Sequence, residues 1–323
     1  MALLEVDNLS IGYHGRKGLV SAVDSVSFNL RRGKTLGIVG ESGCGKTTIG
    51  MALLQLLPEN ASVMSGEIRF EGQDLLALSS EAMREIRWKK IAMIFQAAMN
   101  ALNPVQRVDK QIAEALLAHE PGLNKRAALN KAAELFDLVG IPANRIRDYP
   151  HQYSGGMKQR AIIAMALVCQ PLLLIADEPT TALDVILQDQ ILKEIRKFQE
   201  KMNIAMVFIS HDISVVADVC DDIVVMYDGW MIETGSRKEV LAFPAHPYTK
   251  MLLASNLTLA SDPDKTPSFK EPIVHIDRPA GQCPFYHRCQ EHRDNCLTDS
   301  YQWIPISSSH RVLCKNVPKG PEV

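Results

Sequence analysis

The 323-residue sequence has no run of 18 apolar residues; its densest stretch, residues 161–176, is broken by Gln170 and Pro171. A membrane-crossing helix needs roughly 20 such residues, so no span is expected. Glu5 and Asp7 spoil a signal-peptide pattern at the N-terminus. The expected location is therefore cytoplasmic, where the seven cysteines read as thiols or metal ligands rather than disulfides. Net charge is nearly absent too. Thirty-five basic residues against 37 acidic ones leave −2, too little to keep a chain disordered or to build a polyanion-binding face. There is no internal repeat, no low-complexity tract, no heptad run and no Asn-Lys-x-Asp guanine-reading motif. A chain of this length can bury a sizeable core and is expected to hold more than one domain.

What is present begins with Gly-Glu-Ser-Gly-Cys-Gly-Lys-Thr-Thr at 40–48. It fits G-x-x-x-x-G-K-[ST], the phosphate-binding loop. Gly40, Gly43 and Gly45 let the backbone curl so that the amides of Glu41, Ser42 and Cys44 can point at phosphate oxygens. Lys46 is placed to reach the β- and γ-phosphates, and Thr47, followed by Thr48, to hold Mg²⁺. The apolar run 35–39 before it reads as a buried strand. Residues 49–57 after it read as a helix stopped by Pro58, which adds a positive N-terminal end to the loop. Cys44 is small enough for the turn and reads as incidental there, with sensitivity of the site to thiol reagents as the other reading.

Four further apolar runs, 91–95, 172–176, 205–209 and 223–227, are continuous rather than alternating. Strands covered on both faces read this way, which predicts a mostly parallel sheet in an α/β domain. Residues 3–9 and 22–28 mix polar and apolar positions and predict a small antiparallel layer. Between 97 and 170 strand signals vanish. Val108, Ile112 and Leu116 recur at helical spacing, as do Leu129, Ala132, Phe136 and Val139, with Gly140 and Pro142 as the stop. After about residue 245, prolines 244, 247, 263, 267, 272, 279 and 284 punctuate a tail that also holds four cysteines.

The run 172–176 ends in Asp177-Glu178. A strand delivers Asp177 to the sheet edge beside a phosphate loop, where it can hold Mg²⁺, and Glu178 one residue on can polarise an attacking water. The missing guanine motif favours ATP. Tyr153-Ser-Gly-Gly-Met157 then resembles the Leu-Ser-Gly-Gly-Gln signature of the ATP-binding-cassette family. Gln96 sits like the Q-loop glutamine, Ala182-Leu183-Asp184 like the D-loop, His211 like the switch histidine, and Tyr13 like the aromatic that stacks on adenine. Tyr153 and Met157 depart from the signature, and Ala97-Ala98 stand where many members carry an acidic residue and proline. The resemblance implies a P-loop NTPase (RecA-like) α/β core with an antiparallel β layer over 1–96 and 171–245, a helical signature subdomain over 97–170, and a Cys-containing extension over 246–323. It implies Glu178 and His211 as catalytic residues, and Mg²⁺ held through Thr47, Gln96 and Asp177. Ser154, Gly155 and Gly156 open a helix, and a second phosphate grip makes sense on the ATP of a partner chain.

The absence of heptads argues against the DNA-repair type, a single cassette against the translation type, and the neutral charge against nucleic acid. Gly37-Ile-Val-Gly-Glu-Ser-Gly43, Asn103-Pro104, Ile175-Ala-Asp-Glu-Pro-Thr-Thr-Ala-Leu-Asp-Val185 and His246-Pro-Tyr-Thr249 resemble the dipeptide/oligopeptide/nickel importer ATPases, most of all their dipeptide-importer D type. That implies a peripheral protein at the cytoplasmic face of the inner membrane. Its implied partners are a homologous second ATPase in a heterodimer, two transmembrane permeases and an extracytoplasmic substrate-binding protein. Peptides are the first choice of cargo; nickel chelates, glutathione, oligosaccharides and antimicrobial peptides stay open. A soluble cassette ATPase on nucleic acid or ribosomes is the remote alternative.

Cys283, Cys289, Cys296 and Cys314 are spaced C-x5-C-x6-C-x17-C. Four thiolates so close can close a shell around a metal or cluster, and the tight knuckles usual for zinc are lacking. The same spacing resembles importer ATPases whose tail cysteines bind a 4Fe–4S cluster. Zn²⁺, with His287, His292 or His310 replacing a thiolate, stays open, as do four unligated cysteines.

Overall fold

The computed structural model describes residues 2–16, 18–96, 101–181, 184–259, 282–297 and 302–317. In chain order the strands are β1 Ala2–Gly15, β2 Gly18–Arg31, β3 Thr35–Val39, β4 Ala61–Phe70, β5 Gln73–Asp74, β6 Ile91–Ile94, β7 Leu173–Asp177, β8 Ala205–Ser210, β9 Asp222–Tyr227, β10 Trp230–Ser236, β11 Ile304–Pro305 and β12 Arg311–Val312. The α-helices are α1 Lys46–Leu53, α2 Ser80–Ile86, α3 Val108–His119, α4 Lys125–Leu138, α5 Gly155–Leu167, α6 Val185–Met202, α7 Ile213–Val219, α8 Arg237–Ala242 and α9 Pro247–Leu259. Contacts divide the described residues into two compact units, one drawn from 31–34 and 77–208, the other from 2–30, 35–76 and the described residues after 208.

In the first unit, β6 and β7 pair in parallel, Ile91 opposite Leu173 and Ile94 opposite Ala176. Every residue of β7 is buried, as expected of a strand covered on both faces. Val108, Ile112, Leu116, Ala132, Phe136 and Val139 are all fully buried, whereas Leu129 of the second periodicity is only partly so. Gly140 adopts φ +67° just past α4, a left-handed stop that glycine takes without strain. Asp184 caps α6, its carboxylate accepting the Leu187 N–H at 2.9 Å.

In the second unit the strands run β5-β4-β1-β2-β10-β9-β3. β3 and β9 are parallel, whereas β4 against β1 and β9 against β10 are antiparallel. The antiparallel layer is longer than the runs 3–9 and 22–28 indicate. α1 ends at Leu53, not at residue 57. The stop is Gln55, whose φ of +50° turns the chain out of the helix three residues before Pro58.

The tail is woven into this unit. β12 pairs with β10, Glu233 opposite Val312, and Val312 and Cys314 share a small apolar cluster with Ala245. Ser307 and Ser309 both donate to the Glu239 carboxylate of the capping box that starts α8. Pro263, Pro267, Pro272 and Pro279 lie outside the described residues, as do Ala97, Ala98, Ala182 and Leu183.

Candidate functional site

The phosphate loop joins β3 to α1. Gly45 is the residue before the helix, at φ +100°, and a Cβ there would lie 2.3 Å from the Ala22 carbonyl oxygen. A Cβ on Gly40 would lie 2.2 Å from the carbonyl oxygen of Met226. Only glycine fits either place. Lys46 is buried and folds back over the loop, donating to the carbonyls of Gly40 at 2.6 Å and Glu41 at 2.8 Å. Its ammonium is thus held against the loop backbone. Ser42 and Gly43 are exposed, and Thr47 is partly so. Tyr13 stands beside this helix, its hydroxyl 3.2 Å from Thr48 Oγ1.

Cys44 does not present its thiol to solvent. It is fully buried, and burial raises its thiol pKa against the opposing pull of Lys46. A protonated, inaccessible thiol is not a ready target for thiol reagents.

The two carboxylates belong to the first unit. Asp177 ends β7 and is 1% exposed. Glu178 follows at φ +46°, a left-handed conformation that costs a non-glycine residue about 1–3 kcal/mol and concentrates at functional sites. Gln96 Nε2 donates to Glu178 Oε2 at 3.1 Å, and Thr181 Oγ1 donates to the same oxygen at 2.9 Å. Gln96 and the candidate base are therefore brought together, with the carboxylate aimed by two donors. Ser154 caps α5, accepting the Met157 N–H at 3.3 Å, and Gly155 and Gly156 form its first turn. A Cβ on Gly156 would meet Leu187 at 2.7 Å. His211 lies exposed just past β8, and Asp212 caps α7 through Ser214 N–H at 2.8 Å.

In the second unit, Cys283, Cys289, Cys296 and Cys314 all line one small cavity, with His246, Phe285, Tyr286 and His292. Burial pushes the Cys314 thiol up to about 11, with the three neighbouring cysteines adding to the shift, and raises Cys289 as well. Among the described residues, no group of three or more His, Cys, Asp or Glu side chains is close enough to hold one metal ion. His310 is not at this cavity; its Nε2 lies 2.7 Å from Glu233 Oε1.

Several partners could not be read from the sequence. His246 is 1% exposed, its Nδ1 accepts the Tyr248 N–H at 3.0 Å, and burial lowers its pKa to about 4. The imidazole is therefore neutral with its proton on Nε2, and that buried Nε2 has no hydrogen-bond partner among the described residues. Tyr248 Oη accepts the Glu41 N–H of the phosphate loop at 2.9 Å. Arg288 forks onto the Glu41 carboxylate at 2.8 and 2.9 Å. These link positions 207 and 247 residues apart, and no local pattern announces them.

Residues 23–181 match the family model described as ABC transporter, and residues 232–296 match that of the oligopeptide/dipeptide transporter C-terminal region. The chain is 45% identical over 316 residues to the dipeptide transport ATP-binding protein DppD of Bacillus subtilis (strain 168), covering 97% of this chain and 94% of that protein. It is 50% identical over 262 residues to the oligopeptide transport ATP-binding protein OppD of the same organism, covering 80% and 73%. Among solved structures it is similar to the dimeric post-hydrolysis state of the ATP-binding cassette MJ0796 bound to ADP and Pi, at TM-score 0.65 and 25% identity, covering 72% of this chain and 98% of that one. It is also similar to cbiO1 from Clostridium perfringens, part of the transporter complex cbiONQ, at TM-score 0.66 and 26% identity, covering 80% and 95%.

Proposed function

The chain belongs to the ABC transporter family as an ATP-hydrolysing subunit, and from that premise we propose that it powers the import of di- or oligopeptides through permeases carried on other chains. The observation that carries the reading is the likeness to a dipeptide transport ATP-binding protein over 97% of this chain. No helix among the described residues is long and apolar enough to cross a membrane, so passage through the bilayer falls to partners. Those partners are two transmembrane permeases, fed by an extracytoplasmic substrate-binding protein, with this chain peripheral at the cytoplasmic face. The nucleotide partner is a homologous, non-identical ATPase. Ser154–Gly156 at the start of α5 would grip that partner's ATP, in keeping with the dimeric MJ0796 structure. A permease helix would dock at residues 97–110, of which 97–100 lie outside the described residues.

In the second unit Lys46 and the loop amides would bind the phosphates, Thr47 would hold Mg²⁺ and Tyr13 would stack on adenine; in the first unit Gln96 and Asp177 would be ligands for Mg²⁺. In the first unit Glu178 would take the proton of the attacking water, its carboxylate oriented by Gln96 and Thr181; in the second unit His211 would be a contact for the γ-phosphate. Asp184 closes the D-loop against the partner. The expected result is that the tagged chain co-purifies with two permeases and a second ATPase, and that its deletion abolishes uptake of labelled dipeptides. Recovery with ribosomes or nucleic acid in place of permeases would sink this reading.

The four-cysteine cavity is proposed to hold a 4Fe–4S cluster. Two observations support the fit: four thiols share one cavity, and the buried, unpartnered Nε2 of a cavity-lining histidine is a donor of the kind that cluster sulfurs accept. A single zinc ion, with its thiolates about 2.3 Å from the metal, is the alternative occupant. A bound cluster supplies a cross-link that orders the tail. Anaerobic purification is expected to give brown protein absorbing near about 400 nm with about four irons per chain. A colourless preparation with one zinc, or with no metal, would overturn the assignment.

A further inference from the structure

We infer that Arg288 is a positioning residue for nucleotide binding, carrying the ligand state of the four-cysteine cavity to the phosphate loop. Arg288 directly precedes Cys289 and ends the 3₁₀ turn Tyr286–Arg288. That turn is short and held by backbone hydrogen bonds. Tyr286 N–H donates to Cys283 C=O at 3.1 Å, Arg288 N–H to Phe285 C=O at 3.1 Å, and Cys289 N–H to Tyr286 C=O at 3.2 Å. Cys283 and Cys289 stand at its two ends, and both line the cavity. Phe285, 2% exposed, pins the turn between Tyr227, Tyr248 and His246, with ring centroids 5.2, 5.4 and 5.8 Å away. The direction in which Arg288 projects is thus fixed by the two thiols and one buried ring.

It projects onto the phosphate loop. Its two terminal nitrogens take both oxygens of Glu41, and Nη1 also reaches Tyr227 Oη at 3.3 Å. Glu41 is gripped at its backbone too, by Tyr248 Oη on its N–H and by Lys46 Nζ on its carbonyl. Direct contacts therefore run from Cys289 through Arg288 and Glu41 to Lys46, all inside one compact unit.

Two physical effects follow, of the same sign. A loop held in its binding conformation loses less entropy when it closes on phosphates. A guanidinium on Glu41 also cancels a carboxylate that would otherwise face an incoming polyanion. When the cavity is filled, the turn and its arginine are set; when it is emptied, Cys283 and Cys289 are no longer joined through a common ligand, and both effects weaken.

The inference rests on the cluster reading, and one experiment separates the two. The dissociation constant of a non-hydrolysable ATP analogue is measured anaerobically on the full chain, first as purified and then after iron is removed by a chelator under reducing conditions. Wild type is expected to bind about tenfold more weakly once stripped, within the usual range of coupling between two sites. Arg288→Ala is expected to bind weakly in both forms. Arg288→Lys keeps the charge and loses the fork, so it should fall between. In a Glu41→Gln background Arg288→Ala should add little, because its effect acts through that carboxylate; an arginine that merely stapled the tail would weaken binding equally in both backgrounds. Equal affinity of loaded and stripped wild type overturns the inference, and so does a tenfold difference that survives in Arg288→Ala. Iron and sulfide content report on the cluster separately. If the purified chain carries none, the cluster reading fails, and zinc-loaded and zinc-free chain are compared under the same two criteria.

Discussion

Glu178→Gln is expected to lower ATP turnover of the assembled transporter by about 100-fold or more and to leave ATP bound. Glutamine has the shape of glutamate, and its amide oxygen can still accept from Gln96 and Thr181, which lie 3.1 and 2.9 Å from Glu178 Oε2. What is lost is the proton acceptor. A factor of 100 corresponds to about 2.7 kcal/mol of transition-state stabilisation, the low end for a general base. Binding should survive, because Lys46 and the loop amides are untouched; Lys46→Ala is the opposite case and should lose nucleotide altogether. The measurement is steady-state phosphate release, with nucleotide retained on the complex counted after rapid desalting. In the proposed heterodimer the second ATPase is inactivated first, since its own site would otherwise mask the effect. Full turnover by Glu178→Gln in that background would remove Glu178 from the role given to it.

The parts legible in the sequence are those whose physics is local. β3, β7 and β8 are buried at every residue, and a strand hidden on both faces must be written as an unbroken apolar run. The phosphate loop is legible because its glycines answer to backbone geometry, as Gly40 against Met226 and Gly45 against Ala22 demonstrate. The end of α1 was not legible. Pro58 is the visible breaker, yet the turn is made by Gln55 at φ +50°, a residue with no turn signal of its own. The burial of Cys44 was not legible either, because sequence shows that a thiol sits in a loop and not that the loop is buried there.

The tail was the least legible part, because its chemistry is long-range. Its cysteines could be counted, but a cavity shared by Cys283 and Cys314 depends on the whole path between them. His246-Pro-Tyr-Thr249 was recognisable only by resemblance. Its physical roles are a Tyr248 hydroxyl on the phosphate loop and a His246 that turns the chain into α9. Glu41 reads as one loop residue among nine; only the fold shows that it is where the tail takes hold.

Glu233→Ala is expected to destabilise the second unit by about 3–5 kcal/mol. Glu233 lies on β10, on a strand whose neighbours Met231 and Ile232 are apolar and buried, and it is itself 0% exposed. Its carboxylate earns that place by gathering three donors. Ala245 N–H and His246 N–H each donate at 2.8 Å, and His310 Nε2 lies 2.7 Å away. Removing the carboxylate strands two backbone amides and an imidazole in the interior at once, and a buried donor left without an acceptor carries its full desolvation cost. Glu233→Gln keeps an acceptor oxygen but turns an NH₂ toward one of the donors, so it should cost less than alanine. The readout is the urea midpoint of the full chain, with the slope compared to show that the same surface unfolds. A loss of under about 1 kcal/mol in Glu233→Ala would mean that water replaces the carboxylate and that the three donors are not its charge. The same substitution should also weaken nucleotide binding, because the two amides it strands lead directly into Tyr248, whose hydroxyl holds the Glu41 N–H. A variant that lost stability yet bound ATP with wild-type affinity would separate the anchoring of the tail from the bracing of the loop.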